Sequence, residues 1–182
     1  MQNLFAQAAA LLINSLGGFL TMLLLLRFYL QAFRVSFANP VGHFVLQLTN
    51  WLVLPLRRII PSAMGFDLAS LLPAFVIQLC VLTALFFLGD SLVVFEPRLL
   101  FWVAFQSLTA LLRMSLFLLI GALVLQAVLS WMSPYSPLSK PLHQITQPFL
   151  SPWRKIIPPF SGIDLSPLVV ILLAQVVLIF LR

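Results

Sequence analysis

Acidic side chains are the scarcest chemistry in this sequence. Four aspartates and glutamates stand against ten lysines and arginines, and charged residues together make up 8% of the 182 residues. A soluble domain carries about 25%. With 62% of the residues apolar, a globule of this size has too little interior to hide them from water, so lipid must be the solvent. The single cysteine, Cys80, excludes an intramolecular disulfide. Set between Leu79 and Val81, it reads as a small buried apolar residue. Two histidines, His43 and His143, are too few for a His/Cys metal cluster. No serine–histidine nucleophile pattern, phosphate loop or nucleotide fingerprint occurs. These shortages argue against an enzyme and against a bound cofactor or metal. The net charge of +6 is spread thinly rather than gathered into a basic run. It therefore points to membrane topology and anionic headgroups, and away from nucleic acid. No lysine or arginine precedes Arg27, so the basic start of a secretory leader is missing and the first apolar stretch reads as a retained helix.

What the chain does have is a repeat. Pro55-Leu56-Arg57-Arg58-Ile59-Ile60-Pro61 returns 97 residues later as Pro152-Trp153-Arg154-Lys155-Ile156-Ile157-Pro158. The same offset pairs Gln47 with Gln144, Thr49 with Thr146, Gly65 with Gly162, Asp67 with Asp164 and Gln78 with Gln175. Farther upstream the offset becomes 95, pairing Leu30-Gln31-Ala32 with Leu125-Gln126-Ala127. The chain reads as an internal duplication, with one copy in residues 1–91 and the other in 92–182.

Uncharged stretches locate the spans, since a membrane-crossing helix needs about 20 mostly apolar residues. They are 68–89, 114–132 and 165–181, and the repeat places another near 17–33. The expected fold is an all-α polytopic membrane protein: four transmembrane helices arranged as two tandem two-helix repeats. The apolar stretches 4–16 and 99–112 either lie in the interface or extend the spans beyond the membrane. Between the spans of each copy, apolar residues recur at helical spacing, at Val41, Phe44, Val45, Leu48 and Leu52, then at Leu138, Leu142, Ile145 and Phe149. Asn39-Pro40 and Ser136-Pro137 open these segments as a cap followed by proline. Each reads as an amphipathic interfacial helix, followed by a proline-bounded turn carrying two cations.

Charge then sets the orientation. The connecting loops hold Arg34, Arg57, Arg58, Lys140, Arg154 and Lys155, while the opposite side has Arg98 and Arg182 offset by Asp90 and Glu96. The positive-inside rule places the basic loops in the cytoplasm and both termini outside. Both copies insert the same way, so the pseudo-symmetry axis runs along the membrane normal.

Three groups of residues carry what chemistry there is. The cations Arg57, Arg58, Arg154 and Lys155, held between Pro55 and Pro61 and between Pro152 and Pro158, sit at a defined depth because proline restricts the backbone. They serve as a topology anchor on lipid phosphate, or as a docking surface for an anionic headgroup or a partner's acidic loop. Asp67 and Asp164 open the second spans of the two copies. They cap a helix N-terminus, pair with Arg57 and Arg154, or meet at the pseudo-twofold axis as a cation site. Inside the spans lie Arg27, Gln31, Gln78, Gln126 and Gln175. Arg27 has only Ala122 or Val124 as its counterpart; it snorkels to the basic end or faces a polar interior.

The residues just quoted resemble the YggT family, which is related to the YlmG proteins of Gram-positive bacteria, cyanobacteria and plastids. Asn39-Pro40, the two proline-bounded motifs, Asp164-Leu165-Ser166-Pro167, Leu24-Leu25-Leu26-Arg27 and Ser130-Trp131 carry the resemblance. It covers essentially the whole chain, in the duplicated form of proteobacteria. The first copy departs from it with Thr49-Asn50-Trp51, where the second keeps Thr146-Gln147-Pro148, and with Asp67-Leu68-Ala69-Ser70. The resemblance implies a multi-pass protein of the bacterial inner membrane. It links the chain to osmotic-stress tolerance and ion homeostasis, to cell division or nucleoid distribution, and through plastid relatives to maturation of a membrane cytochrome. A scaffold that helps other membrane machinery assemble accounts for all of these, with other membrane proteins, a second copy or anionic lipid as partners. The competing expectation is an oligomeric channel or transporter for ions or osmolytes, motivated by Arg27 and the recurring glutamines.

Overall fold

The computed structural model describes residues 4–60, 67–89, 97–133, 136–156 and 164–181. Six helices account for nearly all of them: α1 (Leu4–Ala32), α2 (Pro40–Ile59), α3 (Leu68–Leu88), α4 (Pro97–Met132), α5 (Ser139–Ile156) and α6 (Ser166–Phe180). α1, α3 and α4 are long and apolar enough to cross a membrane.

The stretches 4–16 and 99–112 extend their spans. Neither contains proline, and the Gly17-Gly18 pair does not break the helix, so α1 runs 29 residues and α4 runs 36. At 1.5 Å per residue they are about 43 and 54 Å long, against a hydrocarbon core of about 30 Å. The fourth expected span falls short. α6 is apolar, but its 15 residues make only about 22 Å.

The turn out of α1 determines where α2 lies. Arg34 adopts a left-handed backbone, with φ 54°. Its N–H donates to the Gln31 carbonyl, and the N–H of Val35 donates to the Leu30 carbonyl at 2.8 Å. This is the two-bond helix stop usually built with glycine, and Leu30 and Val35 share a buried cluster, as such a stop favours. The chain then reverses. Asn39 caps α2 as expected: its Oδ1 accepts from the N–H of Gly42 at 2.9 Å, with Pro40 in the first turn. Gly42 is required there, because a Cβ would lie 2.6 Å from the Phe37 carbonyl oxygen. In the second half the helix starts later than Pro137. Ser136 Oγ accepts from Leu138 N at 3.3 Å, and α5 begins at Ser139.

α2 buries one stripe, Gly42, Val45, Thr49 and Val53. α5 buries Thr146 and Leu150, the counterparts of Thr49 and Val53. The motif cations do not lie in a proline-bounded turn. Arg57 and Arg58 form the last turn of α2, and Arg154 and Lys155 the last turn of α5. Pro55, Pro148 and Pro152 lie inside these helices. All three are on exposed sides, where the carbonyl that proline leaves without an N–H partner can meet water. Cations in a last turn also suit the negative end of the helix dipole. Pro61 and Pro158 lie outside the described residues.

Helices packing in lipid gain little from apolar burial and depend on close approach. α1 and α3 achieve it antiparallel. Gly17 faces Val81 and Ile77, and a Cβ there would lie 2.2 Å from Val81 Cγ2. Ala69, Ser70 and Ala74 of α3 are also buried. Leu24 and Leu25 of α1, Val53 of α2, Ala69 and Ala74 of α3 and Leu111 of α4 form one core cluster. α4 starts beside the end of α3, with the Phe86 and Trp102 rings 6.5 Å apart, and returns parallel to α1, bringing Met114 to Gly18. The second half has a smaller cluster: Leu123 of α4, Leu150 of α5 and Val170 of α6. Cys80 is exposed rather than buried, because its side of α3 faces away from the other helices.

Candidate functional site

The ion-paired residues of each half gather at one end of its helices, where the spans meet α2 or α5. In the first half Arg57 forks onto Asp67, with Nη2 donating to Oδ2 at 2.6 Å and Nε to Oδ1 at 3.3 Å. The hydroxyl of Ser70 donates to the same Oδ2 at 2.7 Å, and Arg57 Nη2 also donates to Gln31 Oε1. Asp67 is 2% exposed and Arg57 39%. The ion pair is therefore the role taken by the Asp67 carboxylate, which accepts no backbone N–H as a helix cap.

Arg27 adds a second polar set beside the first. It is 1% exposed and does not snorkel. Its Nη1 donates to Thr49 Oγ1 at 2.7 Å and to Asn50 Oδ1 at 2.9 Å, while the Thr49 hydroxyl in turn donates to the Val45 carbonyl. A buried cation in a transmembrane helix is tolerated when polar groups of the protein receive it, and here α2 supplies them. Nε of Arg27 has no partner among the described residues.

The second half repeats half of this. Arg154 Nε donates to Asp164 Oδ2 at 2.8 Å, and the N–H of Ser166 donates to Oδ1 at 2.9 Å, so Asp164 both pairs and receives the first N–H of α6. This pair is open, at 37% and 40% exposure. Partial burial acts to raise the Asp164 carboxyl. The hydrogen bonds from Ser166 and Arg154 act the other way and prevail, holding it below the usual carboxylate range. With no arginine at the Arg27 place, Gln126 bonds to Thr146 directly.

The structure thus sorts the expected site residues. Each aspartate is taken by its own arginine, which leaves neither for a shared cation site. Arg58 and Lys155 are exposed and have no ion-pair partner among the described residues. Gln31 and Gln126 bond at the helix ends. Gln78 is buried with its Oε1 unpaired, and Gln175 is exposed. Four participants were not singled out from sequence: Thr49, Asn50, Ser70 and Thr146. The threonines are a repeat match, and Ser70 stands where the first copy departs from the family pattern. That match and that departure were the available signal; Asn50 only fills the pattern's polar place, beside the departure at Trp51.

Between the halves runs an apolar cleft of about 580 Å³, with Leu26 and Phe33 of α1, Leu118 and Ala122 of α4 and Leu142 and Phe149 of α5 on its walls. The rings of Phe33 and Phe149 meet across it at 5.9 Å.

Long apolar helices with a basic, ion-paired rim at one end define a helical membrane protein. The CCB3/YggT family matches the chain twice, over residues 6–88 and 105–182. The chain is 38% identical over 164 residues to the uncharacterized protein PA0392 of Pseudomonas aeruginosa, spanning 88% of this chain and 81% of that one. It is 40% identical over 162 residues to a Vibrio alginolyticus protein encoded in the proC 3' region, spanning 87% and 84%. Against YggT of Escherichia coli K12 the identity is 37% over 158 residues, spanning 86% and 80%. No solved structure matches the chain. The chain belongs to the CCB3/YggT family.

Proposed function

We propose that this protein is a non-enzymatic scaffold of the bacterial inner membrane, which holds other membrane machinery through the basic ends of α2 and α5. The observation that carries this reading is the division of labour within each cationic pair. Arg57 and Arg154 are tied to aspartates and fix the end of the helix. Arg58 and Lys155 point outward beside Ile59 and Ile156, which are 78% and 70% exposed. A cation without an ion-pair partner among the described residues, next to an exposed isoleucine, suits the membrane–water boundary, where an acidic loop or lipid phosphate meets acyl chains.

The topology we assign has four spans in two tandem repeats, with the basic ends cytoplasmic and both termini periplasmic. The short α6 is accommodated by local thinning of the bilayer or by neighbouring helices. The parallel course of α1 and α4 supports repeats related by an axis along the membrane normal. Anchoring of Arg27 by α2 supports a structural role for it rather than ion conduction. A role in osmotic-stress tolerance follows if the supported machinery handles ions.

The test is site-directed photo-cross-linking from Ile59 and Ile156 in membranes. Arg58→Glu with Lys155→Glu should reduce partner cross-links at least about 5-fold, roughly 1 kcal/mol of docking energy, with insertion unchanged. Undiminished cross-links would count against the scaffold. Selective potassium flux through reconstituted protein would move it to the channel class.

A further inference from the structure

The contact between α3 and α4 joins the end of the first half to the start of the second. Leu79 and Thr83 of α3 share a shallow groove with Val103 of α4. Farther along α4, Leu111 enters the core cluster with Ala74. The duplication supplies both sides of this contact again. At the offset of 97, Leu79 and Thr83 correspond to Val176 and Phe180 of α6, which are 49% and 84% exposed. At the offset of 95, Val103, Ser107 and Leu111 correspond to Ala8, Leu12 and Leu16 of α1. The three α4 residues are 6%, 0% and 5% exposed, whereas Leu12 and Leu16 are 57% and 67% exposed, and Ala8 is exposed as well.

Two uncovered faces on this molecule therefore match the two sides of an interface it already uses internally.

We propose that α6 of one copy packs against α1 of a second copy, repeating the α3–α4 contact between molecules. This inference names a partner for the proposed scaffold and rests on its tandem-repeat topology. Both copies then insert the same way, as α1 and α4 do within one chain. The contact is head-to-tail, so it either closes or propagates. Two chains about an axis along the membrane normal would satisfy both α6–α1 contacts and set four repeats in a ring.

Cross-linking tests it. In a Cys80→Ala background, which removes the only thiol, Ala8→Cys and Phe180→Cys are introduced together and native membranes are treated with a short bis-maleimide. The expected result is a two-chain product or a ladder from the double variant, with monomer only from either single variant. Thr83→Cys with Val103→Cys, the internal counterpart, should take up one reagent across its two thiols and remain a single chain. Three results would overturn the proposal: a monomeric double variant beside a closed internal pair, a single variant that dimerises alone, or linkage to a different protein. An internal pair that fails to close would also overturn it, since the contact being copied would not exist. Each of these failures leaves the charge-reversal test at Arg58 and Lys155 standing, so the scaffold reading is judged separately.

Discussion

The same ion pair sits in two environments. Arg57–Asp67 and Arg154–Asp164 occupy matching places in the sequence, yet Asp67 is 2% exposed and Asp164 40%. The difference comes from what surrounds each aspartate. In the first half α1 and α3 lie close along Gly17, Ala69 and Ala74, Ser70 donates to Asp67, and Arg27 ties α2 down through Thr49 and Asn50. In the second half Ala122 or Val124 replaces Arg27, Gln147 replaces Asn50, and α6 is short. One half is closely packed around its ion pair and the other is more open. A motif's energetic weight is therefore a property of its neighbours, not of its residues.

The largest expected difference between the halves is in the aspartates. Asp67→Asn should destabilise the protein by about 2–3 kcal/mol, less than for a fully buried pair because Arg57 can turn toward water. Asp164→Asn should cost no more than about 1 kcal/mol, as for exposed pairs. Unfolding midpoints in mixed micelles measure both, and equal losses would break the comparison.

Next comes the helix start. Gly42 has Ser139 as its counterpart, and a Cβ at Gly42 would also lie 2.7 Å from Phe37 Cα. Gly42→Ser should cost about 1–3 kcal/mol through backbone displacement, whereas Ser139→Gly should cost under about 1 kcal/mol. A similar loss at both positions would show that the tight turn into α2 is not what distinguishes the halves.

The smallest effect is that of pH on the open pair. The folded-state carboxyl of Asp164 lies below its unfolded value. Its contribution is therefore present in full above the unfolded pKa of about 3.9 and lost as pH falls through the lower folded value. Stability measured downward from pH 5 should fall less steeply in Asp164→Asn than in the wild type. An unchanged slope would remove Asp164 from the acid response.

Much of this was legible in the chain. Asn39 caps α2 as its position before Pro40 implies, and the arginine–aspartate pairing was among the readings the motif allowed. The limits of the spans were not legible. An apolar run without a breaker propagates as helix whether or not lipid surrounds it, so 4–16 and 99–112 joined α1 and α4. Prolines read as punctuation were absorbed into α2 and α5, because on an exposed face a missing hydrogen bond is replaced by water. Arg27 was ambiguous because its acceptors lie 22 and 23 residues away, reached only once the chain reverses at Arg34.

By itself the sequence determined the solvent, the helical character, the family and the doubled stock of cations and acids, since composition and spacing are local properties. Only the tertiary structure decided which aspartate is buried, which cations pair with an aspartate and where Arg27 finds its acceptors. Burial and hydrogen bonding depend on atoms brought together from distant parts of the chain, and two copies of one motif acquire different neighbours when they fold side by side.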